Sequence, residues 1–531
     1  MNIPATGSAP PVLEVRGLRT FFRTRSGVAR AVDGLTFSIP RASTYALVGE
    51  SGCGKSVTAL SIIQLIQPPA GYIAGGSVLL NGVDIVPLPE RQKREMRGSR
   101  VSMIFQEPMT SLNPVFTIGG QIVEAIRCHG KVSAKEAKAM AIEMLSKVQF
   151  PEPETVFNEY PHRLSGGMRQ RAMIAMALCL KPDLLIADEP TTALDVTIQE
   201  EIIKLIRELK ESLGAAVLLI THNLGLVYNN ADFIGVMYAG KLVEEAGSKA
   251  LFKNPLHPYT LKLLRSVPDV SKRSGSLDTI PGAVPPATSY AEGCRFSGRC
   301  QSEMQGCAKT EPLLKEAGEG HKVACHLYDS AFMASTDSSP VGRAAEAPFL
   351  SASRAKGKEL ILEVRDLKTY YPIKKGLFKR TTGYVKAVDG ISFSIRKGMT
   401  LALVGESGCG KTTAGKTILR LIEPSSGGIV FKGKNLTGLN EKAMRPVRSM
   451  MQIIFQDPYS SLNPRLAVRD IIEEGLMTVK PGLNAKERFK KAANALERVG
   501  LDATVMDRYP HEFSGGQRQR ICIARALAVD P

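Results

Sequence analysis

Residues 43–66 read STYALVGESGCGKSVTALSIIQLI, and this stretch decides the fold class. A short apolar strand leads into a glycine-rich turn, and an amphipathic helix opens directly after the turn. The glycines permit positive φ and a close backbone approach, so consecutive N–H groups can surround a phosphate at the helix N-terminus. Lys55 supplies a charge for the outer phosphates, and the Ser56 hydroxyl suits Mg²⁺. The pattern predicts an α/β domain that binds a nucleotide.

The chain contains an internal duplication. GESGCGK occurs at Gly49 and again at Gly405, and the shorter motifs LEVR, AVDG, FQ and SGG recur around both copies in the same order. Small insertions within a preserved order of motifs indicate two homologous domains in tandem rather than a short-period solenoid. A single motif of this kind can arise by chance, but two at matched positions in a strand–turn–helix context predict two nucleotide-binding domains.

Two apolar strands after the first copy end in polar residues. LLIADEP (184–190) ends in a pair of carboxylates, and VLLITHNL (217–224) carries a histidine. In a parallel α/β sheet the ligand lies at the carboxyl ends of the strands. We therefore expect Asp188 to hold Mg²⁺ through water, Glu189 to polarise an attacking water, and His222 to contact the γ-phosphate. A lone acidic pair or a lone histidine is more often structural, but the shared strand-end position favours the functional interpretation.

Composition limits the class of protein. The net charge of +18 suits nucleic acid or an anionic membrane surface, and equally a solvated basic surface. The sequence has no apolar run approaching the ~20 residues that span a bilayer, and its N-terminus has no signal-peptide pattern. These features predict a cytosolic protein. The segment 331–358 is rich in Ala and Ser and is expected to be a flexible linker.

Two further motifs identify a family. LSGGM (164–168) and FSGGQ (513–517) resemble the signature loop of ATP-binding-cassette (ABC) ATPases. The other motifs of that family occur around the first loop in the family's order: Walker A, the Q-loop glutamine, Walker B, the D-loop ALD (193–195) and the switch histidine. Met168 stands directly after SGG, where glutamine is commoner in the family. The resemblance covers nearly the whole chain and implies an α/β fold of two tandem P-loop NTPase (ABC) domains, each with a helical subdomain at roughly 107–180 and 457–531.

The resemblance implies a set of site residues and the cofactors ATP and Mg²⁺. The implied catalytic residues are Glu189, His222 and Gln106. The residues implied to hold Mg²⁺ are Ser56, Gln106, Asp188, Thr412 and Gln456. The residues implied to contact ATP are Phe22, Gly49, Glu50, Ser51, Gly52, Cys53, Gly54, Lys55, Ser56, Ser165, Gly166, Gly167, Tyr371, Gly405, Glu406, Ser407, Gly408, Cys409, Gly410, Lys411, Thr412, Gln456, Ser514, Gly515 and Gly516. In the family two cassettes pair head to tail, and each ATP lies between Walker A of one and the signature loop of the other.

The sequence stops at Pro531, the counterpart of Pro182, before a second Walker B motif. We therefore expect the second domain to be truncated and the natural product to continue. The pairing implied by the family would leave one composite site complete, made of the first Walker motifs and the loop Ser514–Gly516. The other composite site, made of the second Walker A motif and the loop Ser165–Gly167, would lack the carboxylate that holds Mg²⁺ and the catalytic base. A sheet without its central strand is expected to expose an apolar edge.

A cysteine-containing extension follows the first domain. KNPLHPYTLKLLRSVP (253–268), PGAVPP (281–286) and GCRFSGRC (293–300) resemble the C-terminal extension of dipeptide, oligopeptide and nickel importers. The spacing of its cysteines differs from the paired C-x₂-C of zinc ribbons. The resemblance implies a [4Fe–4S] cluster, the alternatives being a zinc site or four buried free thiols. The cysteines concerned are Cys294, Cys300, Cys307 and Cys325.

These observations predict the ATP-hydrolysing subunit of a bacterial importer for peptides or a related solute such as glutathione. The resemblance implies two membrane permease subunits, an extracytoplasmic solute-binding protein and a position on the cytoplasmic face of the inner membrane, with no nucleic acid. The alternatives are a soluble tandem cassette acting on ribosomes or nucleic acid, and a non-hydrolysing regulatory ATP binder. The expected domains are a first ABC domain at 1–252, the extension at 253–330, the linker at 331–358 and the truncated second ABC domain at 359–531.

Overall fold

The structure is a computed structural model that divides into two compact units, residues 1–346 and 347–531. Most of the predicted linker, Ala193 of the D-loop and Ser407 of the second glycine-rich loop lie outside the described residues. The described residues are 10–24, 27–106, 111–192, 194–266, 279–335, 359–375, 380–406, 408–456 and 461–531.

The strands of the first unit form two sheets. Their ranges are β1 Leu13–Thr24, β2 Gly27–Ile39, β3 Thr44–Val48, β4 Gly71–Leu80, β5 Val83–Asp84, β6 Val101–Ile104, β7 Leu184–Asp188, β8 Ala216–Thr221, β9 Phe233–Tyr238, β10 Lys241–Gly247, β11 Lys315–Gly318 and β12 His321–Val323. An antiparallel sheet has the order β2-β1-β4-β5, and the main sheet has the order β11-β12-β10-β9-β3-β8-β7-β6.

The centre of the main sheet is parallel and fully buried. β3 pairs with β8 on one side and with β9 on the other, and β7 pairs with β8 and β6. Every residue of β3, β7 and β8 is buried, as expected for apolar strands that are covered on both faces. Since parallel strands end at the same edge, the loops after β3, β7 and β8 meet there.

Helices of the first unit cover the main sheet and build a separate helical region between β6 and β7. Ile118, Ile122 and Leu145 of that region are buried in an apolar core that continues to the main sheet, where it includes Leu185 and Leu219. Ser133 and Glu136 form a capping box that starts its second helix. The helices are α1 Lys55–Ile62, α2 Glu90–Met96, α3 Ile118–His129, α4 Ala134–Lys147, α5 Pro153–Phe157, α6 Gly166–Leu178, α7 Val196–Leu213, α8 Leu224–Asn230, α9 Ser248–Lys253, α10 Pro258–Arg265 and α11 Ser330–Ser335.

The cysteine-containing extension is continuous with the main sheet. β10 forms a hairpin with β9 and also pairs with β12, which in turn pairs with β11. Glu244 of β10 is fully buried and binds the segment that follows, because its carboxylate accepts the backbone N–H groups of Leu256 at 2.7 Å and His257 at 2.9 Å. His321 of β12 contacts the same carboxylate at 2.8 Å. The extension is thus held to the cassette by backbone pairing and by a buried ionic contact.

The second unit contains an antiparallel sheet and a helical region. Its sheet has the order β14-β13-β15-β16, where the strands are β13 Leu360–Lys375, β14 Arg380–Arg396, β15 Ser426–Phe431 and β16 Lys434–Asn435. Its helices are α12 Lys411–Ile418, α13 Glu441–Met450, α14 Val468–Val479, α15 Ala485–Arg498 and α16 Gly515–Leu527.

The segment before the second glycine-rich loop differs from β3. Residues 401–406 form no strand, and Val404 is 86% exposed, whereas Val48 of β3 is 1% exposed. Leu401 and Leu403 are also exposed. In the first unit this strand is paired on both sides by strands that follow Walker B, and residues 408–456 and 461–531 contain no counterpart of them. The segment is apolar and exposed, but it is not the sheet edge that the sequence predicts, because it forms no strand.

Across the residues that the structure describes, no helix combines the length and apolarity needed to cross a bilayer.

Candidate functional site

The glycine-rich loop connects β3 to α1 and needs glycine for steric reasons at both ends. Gly49 has φ 152° and Gly54 has φ 106°. A Cβ on Gly49 would lie 2.2 Å from the Met237 carbonyl oxygen, and one on Gly54 would lie 2.3 Å from that of Ala31. Such distances exclude a side chain at either position, so the loop can pack between β2 and β9 only with glycine at both ends.

Lys55 closes the loop on itself. Its Nζ donates to the carbonyl oxygens of Gly49 at 2.7 Å and Glu50 at 2.9 Å, and its side chain is buried. An ammonium group held by two neutral carbonyl oxygens can exchange them for phosphate oxygens, which are stronger acceptors because they are charged. The next residue, Ser56, donates to Asp188 Oδ1 at 3.1 Å. A hydroxyl and a carboxylate are therefore side by side, which suits a Mg²⁺ site.

Glu189 follows β7 in a conformation that aims its carboxylate at the same edge. Its φ is 46°, a left-handed value that non-glycine residues seldom adopt and that often marks functional positions. The carboxylate accepts hydrogen bonds from Gln106 Nε2 and Thr192 Oγ1, both at 2.9 Å. His222 Nδ1 lies 3.2 Å from its other oxygen. The structure thus brings the predicted residues to one edge of the sheet. Ser56 pairs with Asp188, and Gln106 and His222 contact Glu189. The charge of Lys55 acts to lower the pKa of both carboxylates.

The pKa values of the two adjacent carboxylates, Asp188 and Glu189, are shifted in opposite directions. Burial raises the pKa of Asp188 to about 6, against the opposing hydrogen bond from Ser56. The hydrogen bond with His222, aided by that from Thr192, lowers the pKa of Glu189 to about 2. The same contact raises the pKa of His222. Glu189 is therefore ionised at neutral pH, whereas a proton competes with a metal ion for Asp188 at about pH 6 and below.

Comparison with known families decides the assignment. The ABC transporter family matches residues 32–192 and 388–531. The chain belongs to the ABC transporter family. A second family, described as the oligopeptide/dipeptide transporter C-terminal region, matches residues 243–307. The predicted fold of two tandem ABC domains is thereby confirmed, as is the prediction of an ATPase that uses ATP and Mg²⁺.

Known proteins resemble the chain over its whole length. A glutathione import ATP-binding protein, GsiA, from Pectobacterium atrosepticum is 43% identical over 539 residues, which cover 100% of this chain and 78% of the relative. The peptidoglycan transport ATP-binding protein YejF of Agrobacterium fabrum is 42% identical over 521 residues, which cover 98% of this chain and 81% of the relative. Among solved structures, the dimeric bacterial ABC transporter cassette MJ0796 is 24% identical, has a TM-score of 0.41, and covers 44% of this chain and 98% of its own.

Both signature loops of this ABC ATPase start a helix, but they are capped differently. Ser165 accepts the N–H of Met168 at 3.3 Å at the start of α6, and Ser514 accepts that of Gln517 at 3.4 Å at the start of α16. Gln517 also accepts the N–H of Ser514 at 3.1 Å and so completes a capping box. Met168 has no group that could do so, so its departure from the family pattern has a physical consequence.

Other predicted ATP-site residues lie in strands or in the second unit. Phe22 lies in β1 opposite Gly71, and Tyr371 lies in β13 and is exposed. Lys411 donates to the Gly405 carbonyl oxygen at 2.7 Å, as Lys55 does in the first loop. Gln456 is exposed in a segment without strand structure. Within the described part of the second unit these residues are not gathered into a hydrogen-bonded group like that of the first.

The four cysteines of the extension line one small cavity of ≈ 20 Å³ together with His326. That volume holds about one water molecule. Burial raises the pKa of Cys294 and Cys300 to about 11 and that of Cys325 to about 12, so the thiols are protonated at neutral pH. Within the described ranges, no group of three or more His, Cys, Asp or Glu side chains is arranged to hold a metal ion. The thiols converge as predicted, but the cavity does not fit a [4Fe–4S] cluster as it stands.

Three residues that contact the site were not predicted from the sequence. Thr192 lies three positions after Glu189 in the DEPTT motif, and its hydroxyl could have been recognised from that local spacing. Tyr259 and Arg299 contact Glu50 of the glycine-rich loop from the extension. Both belong to quoted motifs, HPYT and SGRC, but local sequence gives no signal for a contact over 209 or 249 positions.

Proposed function

We propose that this ABC ATPase hydrolyses ATP at the first glycine-rich loop and thereby energises the import of a peptide-class solute. The observation that carries the proposal is the set of side chains beside the first glycine-rich loop. It contains the ionised carboxylate of Glu189 in contact with His222, and the Ser56–Asp188 pair, whose hydroxyl and carboxylate suit Mg²⁺. The match to the oligopeptide/dipeptide transporter C-terminal region supports the solute class. So do the relatives named for glutathione import and peptidoglycan transport.

In the proposed reaction the loop first binds the triphosphate. Lys55 Nζ leaves the Gly49 and Glu50 carbonyl oxygens and binds the outer phosphate oxygens, while backbone N–H groups at the start of α1 surround the β-phosphate. Ser56 and Asp188 would hold Mg²⁺, and the ion would supply positive charge next to the phosphates.

Glu189 then orients and polarises the attacking water. Its lowered pKa keeps it ionised, so it can accept a hydrogen bond from water throughout the neutral pH range. In the present arrangement Gln106 and Thr192 share one carboxylate oxygen. We infer that nucleotide frees Gln106 for the metal and the water, and that His222 contacts the γ-phosphate while its contact with Glu189 holds the ring in position.

The Glu189→Gln variant tests this mechanism. We expect ATP turnover to fall at least about 100-fold while ATP affinity stays near that of the wild type, because the polarising carboxylate is lost and the loop is intact. Lys55→Ala is the matched control and should lose affinity instead. The measurements are phosphate release and equilibrium binding of a fluorescent ATP analogue, with the permease subunits present. Near-normal turnover in Glu189→Gln would remove Glu189 from the mechanism.

The remaining predictions on sites and domains are part of the same proposal. We propose that the second loop also binds ATP, through Lys411 and Thr412, with Gln456 near its metal. The proposed domains keep the ranges 1–252, 253–330, 331–358 and 359–531. The proposed partners are two membrane permease subunits and a solute-binding protein, which place the chain on the cytoplasmic face of the bacterial inner membrane.

The solute class has its own test. The chain would be expressed with its neighbouring permease and binding-protein genes in a host that lacks peptide and glutathione importers. We expect uptake of a labelled dipeptide, oligopeptide or glutathione that is abolished by Glu189→Gln. Uptake of none of these, together with intact ATPase activity, would refute the solute class and leave the ATPase assignment standing.

We also propose that the four cysteine thiols bind the [4Fe–4S] cluster that the family resemblance implies. What supports this is their convergence on one cavity, together with the buried His326 Nδ1, which has no hydrogen-bond partner within the described structure. The thiols would have to lose their protons and move apart. Protein purified without oxygen should be brown and contain iron, and Cys300→Ser should remove both. Colourless, iron-free protein would leave four buried thiols as the correct description.

A further inference from the structure

Among the described residues, the extension forms hydrogen bonds with Glu50 of the first glycine-rich loop. The backbone N–H of Glu50 donates to the Tyr259 hydroxyl at 2.9 Å. Its carboxylate accepts two hydrogen bonds from Arg299, from Nη1 at 2.7 Å and from Nη2 at 3.1 Å. The backbone and the side chain of this loop residue are therefore both held by the extension. A bidentate arginine–carboxylate pair also fixes orientation, not only distance.

Tyr259 is itself held rigidly to the main sheet. It is fully buried at the start of α10, where its N–H donates to His257 Nδ1 at 3.0 Å. His257 in turn donates its own N–H to the buried Glu244 of β10. The Tyr259 ring packs against Tyr238 at 4.8 Å and Phe296 at 5.4 Å between ring centroids. The hydroxyl that meets Glu50 is thus fixed by the sheet and by an aromatic cluster.

Arg299 is held by acceptors other than Glu50. Its Nε donates to the Pro281 carbonyl oxygen at 2.7 Å, and its Nη1 lies 3.3 Å from the Tyr238 hydroxyl. Its side chain is only 10% exposed. A guanidinium that is buried and held on several sides loses little further freedom when it binds a carboxylate. It can therefore hold Glu50 in one position.

The second loop provides an internal comparison. It carries the same GESGCGK sequence, and Lys411 binds the Gly405 carbonyl oxygen at the 2.7 Å distance seen for Lys55. Glu406 is the counterpart of Glu50, and in the described part of its unit no side chain donates to its carboxylate. The lysine contact is thus local to the motif, whereas the contacts to Glu50 belong to the extension.

We propose that Tyr259 and Arg299 are positioning residues for the first ATP site, and that the extension sets the ATP affinity of that site. They fix the first peptide of the loop, so that the following N–H groups point to the phosphates before ATP arrives. Without these two side chains the loop must be ordered during ATP binding. The free energy needed to order it then weakens the affinity for ATP. This inference rests on the proposed function, in which ATP binds at Lys55.

The test compares three variants of the full chain in a Lys411→Ala background, which isolates the first loop. Arg299→Met removes both hydrogen bonds to Glu50, and Tyr259→Phe removes only the hydroxyl. Arg295→Met is the matched control, because Arg295 is also buried in the extension, with 8% of its side chain exposed, but pairs with Asp33 instead. The readouts are the Kd for Mg-ATP, from a fluorescent analogue, and the Tm without nucleotide.

We expect Arg299→Met to raise the Kd roughly tenfold and Tyr259→Phe to raise it roughly fivefold, the range for losing one or two hydrogen bonds that order the loop. Arg295→Met should lower the Tm comparably and leave the Kd unchanged. Glu50→Gln should raise the Kd like Arg299→Met.

An unchanged Kd in Arg299→Met, or an equal increase in Arg295→Met, would overturn the inference and leave the extension a merely stabilising element. If Arg299→Met does not fold, Arg299→Lys keeps the charge but not the two-pronged contact, and it should show an intermediate Kd. A wild-type Kd in folded Arg299→Lys and Tyr259→Phe would equally refute the role. Failure of the proposed function gives a different result, because Lys55→Ala would then leave ATP affinity unaffected.

Discussion

Asp188 should make the Mg²⁺ affinity of the first ATP site depend on pH. Its carboxylate is buried next to the Ser56 hydroxyl, and burial raises its pKa to about 6. Mg²⁺ binds the ionised carboxylate and not the acid, so protons and metal compete for this position. Because the pKa is raised, the ionised form dominates above about pH 6 and is lost as the pH falls below it.

The expected magnitude follows from the protonated fraction. With a pKa of about 6, the carboxylate is ionised in about 0.9 of molecules at pH 7, about 0.5 at pH 6 and about 0.1 at pH 5. The apparent Mg²⁺ affinity should therefore fall roughly tenfold between pH 7 and pH 5. Glu189 does not contribute, because its pKa of about 2 keeps it ionised over the whole range.

The assay is a Mg²⁺ titration of ATP binding at several pH values, for the wild type and for Asp188→Asn. ATP itself binds protons in this range, but it does so equally with both proteins. The ratio of their Mg²⁺ affinities therefore reports Asp188 alone and should shrink as the pH falls from 7 to 5. A ratio that does not change with pH would refute the raised pKa or the role of Asp188 in holding the metal.

Two further changes should alter stability. Glu244→Ala leaves two backbone N–H groups and His321 without their buried acceptor. We expect this variant to lower the free energy of unfolding of the first unit by about 3 kcal/mol or more. Urea titration measures the change. Met168→Gln should let the side chain accept the Ser165 N–H as Gln517 does for Ser514, and so raise stability by about 0.5 kcal/mol, whereas Gln517→Met should lower it by a similar amount.

Residues that act within one motif could be predicted from the sequence. Lys55 and Ser56 follow the glycine-rich turn, and Asp188 and Glu189 end a buried strand, so strand-end geometry is enough to bring them together. Such predictions succeed because the parallel sheet carries each strand end to the same edge. The opposite pKa shifts of Asp188 and Glu189 could not be predicted in this way. They depend on the degree of burial and on the contact with His222, which only the folded structure fixes.

The two copies of GESGCGK separate what the motif determines from what its surroundings determine. Both lysines bind the carbonyl oxygen of the first glycine at 2.7 Å, so this contact follows from the motif alone. The segment before the loop is a buried strand in one copy and an exposed segment without strand structure in the other, because strand pairing depends on distant segments. The contacts of Glu50 also depend on distant segments, because its partners lie 209 and 249 positions away in the sequence. Identical loops therefore need not bind ATP equally, and the proposal assigns the difference to the contacts that the extension makes with Glu50.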